Sequence, residues 1–404
     1  MWLKTCARKG VLRADRFGSR VTVGREVTIK IPVVLFLTRC AGVLLMNSTM
    51  RRMFFFLGVN LLLPLALCAQ GYGHWVTTTK FAPLPEPSEE YWSATANGKF
   101  YLFGGTAVGS GSHRTGLPRR VLEYDPATDK WTSRKQMPYA ADHMTVAEYR
   151  GKIYLFGGAG AAKPDSVGPG NVQLDDTWEY DPAGDSWKQL APMPTRRSAG
   201  AAVAAGDKIY VLGGSGLAPG ASNPPTAENM LVLGTNEVFD PATGKWETKR
   251  AMPTPRNHPA IGAVNGKIYV IGGRTGGANV ANLISSPTDV VEEYDPATDR
   301  WRAMTKMPTA RSGHGWATYQ NRIYVAGGEV RDHHMDAIFR DVEAFDPAAN
   351  EWFQLPSMPT ARHGVNAAVL GNQLHLIGGH IAFDGAAEHD ADTGAHEVFE
   401  ISGK

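Results

Sequence analysis

One block recurs so faithfully along this chain that it settles the fold class before any other property does. Met307 to Gly328 reads MPTARSGHGWATYQNRIYVAGG, and Met358 to Gly379 reads MPTARHGVNAAVLGNQLHLIGG. Met252 to Gly273 and Met193 to Gly214 repeat the pattern, and two looser copies end at Gly157-Gly158 and Gly104-Gly105. The first glycines of the six pairs (Gly104, Gly157, Gly213, Gly272, Gly327 and Gly378) are 53, 56, 59, 55 and 51 residues apart. A period of that size means stacked units sharing one continuous core, not the two or three separate domains that 404 residues would otherwise suggest.

Each unit reads as four short strands. HGWATYQ (His314 to Gln320) and RIYVAGG (Arg322 to Gly328) are apolar, β-branched and aromatic runs. The turn between such runs is Asn97-Gly98 or Asn265-Gly266 in sister units, which is hairpin chemistry. DVEAFDP supplies a third strand and EWFQL a fourth, with proline confined to turns and strand ends, where its missing N–H does no harm. Trp131, Trp187, Trp246, Trp301 and Trp352 each lie 26 residues before a Gly-Gly pair and seven after an aromatic: Tyr124, Tyr180, Phe239, Tyr294 or Phe345. No helical period occurs, so the expected fold is an all-β propeller with one unit per blade. The Gly-Gly, aromatic, Asp-Pro and Trp signature at this period resembles the kelch repeat, a fold relative of the galactose oxidase central domain, over nearly all of residues 74–402.

The last unit ends without a Trp-bearing fourth strand. A spare strand stands at the other end, GHWVTTTKF (Gly73 to Phe81), with Trp75 29 residues before Gly104. The expectation is a six-bladed kelch-type β-propeller whose last blade is closed by the N-terminal strand, leaving no free sheet edge.

Charge separates the propeller from what precedes it. Residues 1–70 hold eleven Lys/Arg and two acids, so 41 − 11 = 30 basic and 39 − 2 = 37 acidic residues remain, a net of −7. An acidic body excludes general phosphate-backbone binding, hence no nucleic-acid partner. From Met50, MRRMFFFLGVNLLLPLALCAQ joins two arginines to an apolar run, the pattern of a signal peptide. The expected organisation is 1–49 as an untranslated or unstructured leader, 50–70 as signal peptide and 71–404 as propeller. The mature chain would be secreted or periplasmic, monomeric and without a transmembrane span. A lipid anchor at Cys68 is the minor alternative. All three cysteines (Cys6, Cys40, Cys68) lie before residue 71, so the propeller needs no disulfide.

The candidate site is a face. Nearly all length variation falls between Gly-Gly and the next aromatic, in the links joining second to third strands. The fourth-to-first-strand links leave the sheets on that same side, and variable loops over a rigid scaffold carry function. Four arginines share one repeat position, sixteen residues before the first glycine: Arg197, Arg256, Arg311 and Arg362. They can brace carbonyls between blades or form a basic annulus for a carboxylate or sugar hydroxyls. Glu89, Glu90, His143, His258, His314 and His363 follow that position in their units, and Arg274, Arg331, His333 and His380 come from the variable loops. No histidine spacing matches a metal signature, so neither metal nor other cofactor is expected.

The function expected is recognition of a glycan, sugar acid, glycopeptide or protein on this face, which the resemblance implies is the usual recognition surface of kelch propellers. A sugar mutarotase, similar to kelch-type sialic-acid epimerases, is the alternative and would draw on the same polar groups for proton transfer. Copper radical oxidation is disfavoured: that family needs a tyrosine joined to a cysteine, and no cysteine follows residue 68.

Overall fold

The computed structural model describes residues 20–22, 28–30, 72–88, 91–105, 119–160, 172–223, 226, 229–276, 286–331, 336–381 and 391–402. The chain divides into two compact units, Met1–Gln70 and Gly71–Lys404. In the first, strands Arg20–Thr22 and Thr28–Lys30 pair antiparallel. The expected signal segment lies outside the described residues, as do Glu89, Glu90 and His333. No helix among the described residues is long and apolar enough to cross a membrane.

Among the described residues, the second unit holds six four-stranded antiparallel sheets. The first comprises Tyr91–Ala96, Lys99–Gly104, Val121–Asp125 and Lys130–Ser133. The fifth has the same order in Gly315–Tyr319, Arg322–Ala326, Val342–Asp346 and Glu351–Leu355. In each sheet the second strand is buried on both faces, which is why KIYLF, KIYVL, KIYVI and RIYVA are continuously apolar rather than alternating. Apolar clusters fill the seams between consecutive sheets. The last joins Leu102 and Tyr124 of the first sheet to Ala368, Leu370 and Ile377 of the sixth, closing the ring.

The repeat residues act across those seams. Every repeat tryptophan donates its indole N–H to a carbonyl just past the fourth strand of the preceding sheet: Trp187 to Lys135, Trp246 to Ala191, Trp301 to Arg250 and Trp352 to Thr305, at 2.9–3.1 Å. Trp131 of the first sheet donates to Ala82, and Trp75 donates to Pro356. Trp75 is thus the sixth member of the series. Its strand, Gly73–Trp75, pairs with His396–Ile401 and completes the sixth sheet, as the spacing predicts. The Gly-Gly pairs dock on the next sheet. Gly213 holds φ +62 and a Cβ there would lie 2.5 Å from the Arg256 carbonyl oxygen, while Gly214 donates its N–H to that same oxygen at 2.9 Å. Only glycine permits that approach with that backbone.

The closing seam departs from the repeat. Three residues before Gly-Gly every other sheet carries tyrosine (Tyr101, Tyr154, Tyr210, Tyr269, Tyr324), but the sixth carries His375. Its Nδ1 lies 2.8 Å from Nε2 of His396, whose Nδ1 is 2.9 Å from the Ala82 carbonyl oxygen. Phe81 and Tyr124 pack against both rings. Burial pushes His375 down to about 3, helped by the His396 charge, and His396 down to about 4, with the Ala82 carbonyl and Asp129 opposing and Arg362 assisting. The unfolded chain therefore takes up these protons first. Stability is full above the ordinary histidine value near 6.5 and falls as pH drops towards 4, by roughly 1.4 kcal/mol per pH unit for each histidine. Urea unfolding at pH 7.0, 5.5 and 4.5 measures this. His375→Tyr, restoring the repeat residue, makes the decline shallower, and an unchanged decline contradicts the assignment.

Candidate functional site

The described ends of the links on the variable face are themselves paired. Beyond the main sheets the strands continue into small ladders: Ala141–Asp142 with Ala159–Gly160 and Val172–Gln173, and Arg197–Ser198 with Ser215–Leu217 and Met230–Val232. Single bridges continue the pattern at Asn257, Arg274 and Pro287, at Ser312 and Glu329, and at His363, His380 and Asp392. Among the described residues, the residue fifteen before Gly-Gly thus pairs with the residue two after its first glycine in five units. This register builds a collar around one end of the ring.

The four arginines lie beneath the collar, not on it. Arg197, Arg256, Arg311 and Arg362 are each fully buried, at 0 % exposure. Each guanidinium meets a glutamate two residues before the repeat aromatic: Glu237, Glu292 (3.1 Å), Glu343 (2.8 Å) and Glu397 (2.7 Å). A threonine two residues before each arginine donates to the same carboxylate, Thr309 to Glu343 at 3.0 Å and Thr360 to Glu397 at 2.8 Å. Some of the remaining N–H groups reach backbone carbonyls, Arg256 that of Val270 and Arg362 that of Gly378, while the Nε of each arginine has no partner among the described residues. Burial lowers all four arginines, Arg256 to about 10, with the paired carboxylate opposing. Of the two roles open to these arginines, the geometry is that of bracing between strands, with the buried charge paired to a carboxylate, and not that of an exposed basic annulus. The first two sheets lack both partners. Ser88 and Leu122 replace them in one, Ala141 and Trp178 in the other, where Tyr139 stacks on Trp178 at 6.2 Å.

Five of the remaining candidates, His143, His258, Arg274, His363 and His380, are linked by contacts among the described residues. His143 and His258 occupy one repeat position, fourteen before Gly-Gly, with left-handed backbone at φ 50 and 51. Gly313 and Gly364 hold the same position and the same conformation in the fifth and sixth units. Ala199 shares it in the third unit at φ 54, so the left-handed backbone belongs to the repeat and the histidine side chains are what distinguish these two units. The two rings meet edge to face at 5.1 Å. Asp142 orients His143 through Nδ1 at 2.9 Å, and Asn257 lies 2.6 Å from Nδ1 of His258. Arg274 donates to Asn257 and pairs with Glu329 at 3.0 Å. Glu329 lies 3.9 Å from His363, whose ring packs 5.2 Å from that of His380, and His380 is paired with Asp392 at 2.8 Å. Arg120 donates to the Tyr91 hydroxyl and pairs with Glu86. Burial raises the Tyr91 phenol, opposed by Arg120, so it stays protonated.

Within the collar lies a cavity of about 80 Å³ lined by Tyr91, Trp92, His258, His314, Trp316 and Asn366 among others. Burial and the charge of Arg311 push His314 down to about 3, so it is neutral. Trp316 also lines a channel of about 340 Å³ that runs between the first strands of all six sheets. Arg331 ends the strand Glu329–Arg331. Sequence reasoning missed Glu329, Asp392, Trp92, Trp316 and Asn366. The first two sit at ladder positions that the hairpin register beyond Gly-Gly identifies. No group of His, Cys, Asp or Glu among the described residues is arranged to hold a metal ion.

Comparison with known proteins places this architecture. The chain matches the Attractin/LZTR1 β-propeller family model over residues 100–391. It is 31% identical to kelch-like protein terF of Aspergillus terreus over 301 residues, covering 73% of this chain and 61% of that one. It is 28% identical to beta-scruin of Limulus polyphemus, covering 65% of this chain and 27% of that one. The chain thus spans less than two thirds of these relatives' lengths. The solved structure of YjhT superposes with a TM-score of 0.61 at 19% identity, covering 78% of this chain and 95% of that one, a likeness of fold. With the repeat, the ring of sheets and this match together, the chain belongs to the Attractin/LZTR1 β-propeller family of kelch-repeat proteins.

Proposed function

We propose that this propeller is an exported recognition module that binds a protein, glycopeptide or glycan at the collar. The observation that carries the reading is the run of contacts that links Asp142, His143, His258, Arg274, Glu329, His363, His380 and Asp392 from four different units, with His258 lining the cavity. A propeller needs none of these to close its seams, since tryptophans, glycines and buried arginines already do so. A rigid rim with donors and acceptors already oriented binds with little ordering cost. Export rests on the charged and then apolar segment from Met50.

The purified chain, displayed against peptide and glycan arrays, is expected to capture a ligand. Glu329→Gln, which weakens the Arg274 pair, is expected to reduce that capture at least about tenfold, the effect of losing ~1.4 kcal/mol. Asp207→Ala, in a first-to-second-strand turn on the opposite face, leaves it unchanged. Capture that is insensitive to Glu329→Gln but lost with Asp207→Ala puts the site elsewhere.

A further inference from the structure

The cavity inside the collar carries chemistry of its own. Trp92 and Trp316, from the first strands of the first and fifth sheets, meet at 6.4 Å with their planes 69° apart. Gly313, Gly315 and Gly364 lie on the wall between the fifth and sixth sheets. Gly313 and Gly364 stand where His143 and His258 stand in their units, so two side chains are missing where the cavity opens. Among its lining residues Trp92 Nε1 and Asn366 Nδ2 are buried donors with no hydrogen-bond partner among the described residues, and both ring nitrogens of His314 are likewise without one. Trp92 is 9 % exposed and Asn366 4 %. A buried donor left without a partner destabilises the site, and a ligand bringing an acceptor oxygen relieves that.

Charge narrows the ligand. Arg311 and Arg362 are committed to Glu343 and Glu397, Arg274 to Glu329 and Arg120 to Glu86. Asp142 and Asp392 add further acids to the rim. A carboxylate entering here meets acids and no cation without a partner among these four. An aromatic side chain would stack on the indoles and leave both donors unmade. A sugar hydroxyl both accepts and donates, and the C–H face of a pyranose packs on an aromatic ring. The volume is several times the ~10–15 Å³ that one water needs, which suits one small ring rather than a chain of them.

We propose that this cavity is a binding site for a single neutral pyranose ring, seated against Trp92 and Trp316 and hydrogen-bonded by the Trp92 indole and the Asn366 amide. It rests on the recognition reading and names the sugar unit that reading leaves open. Methyl galactopyranoside, methyl glucopyranoside, methyl mannopyranoside and N-acetylglucosamine are titrated into the full chain by calorimetry and indole fluorescence. Glucuronate and N-acetylphenylalanine amide serve as comparators. At least one neutral pyranoside is expected to bind with millimolar or tighter affinity and to perturb the fluorescence. Trp316→Ala and Asn366→Leu weaken it about tenfold or more, and Trp92→Phe, which keeps a stacking face but removes the donor, about fivefold. Should Trp316→Ala fail to fold, the other two variants decide. No binding of any neutral pyranoside at about 50 mM, tighter binding of glucuronate or the aromatic amide, or binding indifferent to Asn366→Leu and Trp92→Phe overturns the proposal. Array capture that depends on Glu329 but ignores added pyranoside and Asn366→Leu defeats the sugar site and leaves the recognition reading standing. Pyranoside binding without array capture does the reverse.

Discussion

Arg311→Ala is expected to lower the unfolding free energy by about 3–5 kcal/mol, the cost of stranding one partner of a buried ion pair. The Glu343 carboxylate is 0 % exposed, and burial already pushes it up towards protonation, with the Arg311 charge and the Thr309 hydroxyl resisting. Without the guanidinium only Thr309 remains to hold it. The second sheet shows that an apolar solution exists, since Ala141, Tyr139 and Trp178 occupy the equivalent places. The double substitution Arg311→Met with Glu343→Leu therefore recovers most of the loss. Urea unfolding of the two single variants and the double measures the coupling. A single-variant cost below about 1 kcal/mol would show the pair to be incidental.

Removing the N-terminal strand has the larger effect. A chain beginning at Pro83 loses Trp75, which packs on Phe399 at 5.3 Å and donates to Pro356, and Tyr72, which packs on Phe353 at 5.1 Å. It also loses the Ala82 carbonyl that accepts from Trp131 and contacts His396. Trp75 and Tyr72 are partly buried against the closing cluster, so together they stand for about the ~3–5 kcal/mol of one fully buried aromatic, and the strand Val342–Asp346 and its neighbours lose their cover besides. His396–Ile401 becomes an open edge, which invites pairing between molecules. Compared with a chain beginning at Gly71, the shortened one is expected to unfold more than about 10 °C lower or to leave solution as aggregate. Trp75→Ala, which keeps the backbone ladder, should cost about 2 kcal/mol on its own, less than a fully buried aromatic. Equal thermal midpoints for the two chains would refute closure by this strand.

Much of the fold is readable because the same physics is printed six times. Gly-Gly needs a glycine-only approach to the next sheet, and Trp needs a carbonyl across the seam, so each leaves a mark at a fixed spacing. The arginines were harder to place because their partners lie 32 to 40 residues downstream. The signal is nonetheless present: arginine and glutamate occur together in four units and are both missing from the same two. The histidine at 375 is likewise visible as the one break in a column of tyrosines. The collar was not legible, because its ladders extend strands past Gly-Gly through segments whose composition reads as loop. Trp92 and Trp316 sit in first strands, where their neighbours in other units are Thr145, Ala201 and Ala260, or Val146, Ala202 and Ile261. Nothing local says that those two face each other across the ring.

The account separates the residues that hold the ring from those that meet a ligand, and one paired measurement tests that separation. Thermal midpoint and ligand capture are recorded on the same preparations of Arg311→Lys and Arg274→Ala. Lysine cannot supply the fork that Arg311 divides between Glu343 and the Val325 carbonyl, so its midpoint falls by several degrees while capture per folded molecule holds. Arg274→Ala, on the collar, shifts the midpoint by no more than about 3 °C and reduces capture about tenfold or more. Lost capture in folded Arg311→Lys with full capture in Arg274→Ala would contradict the account.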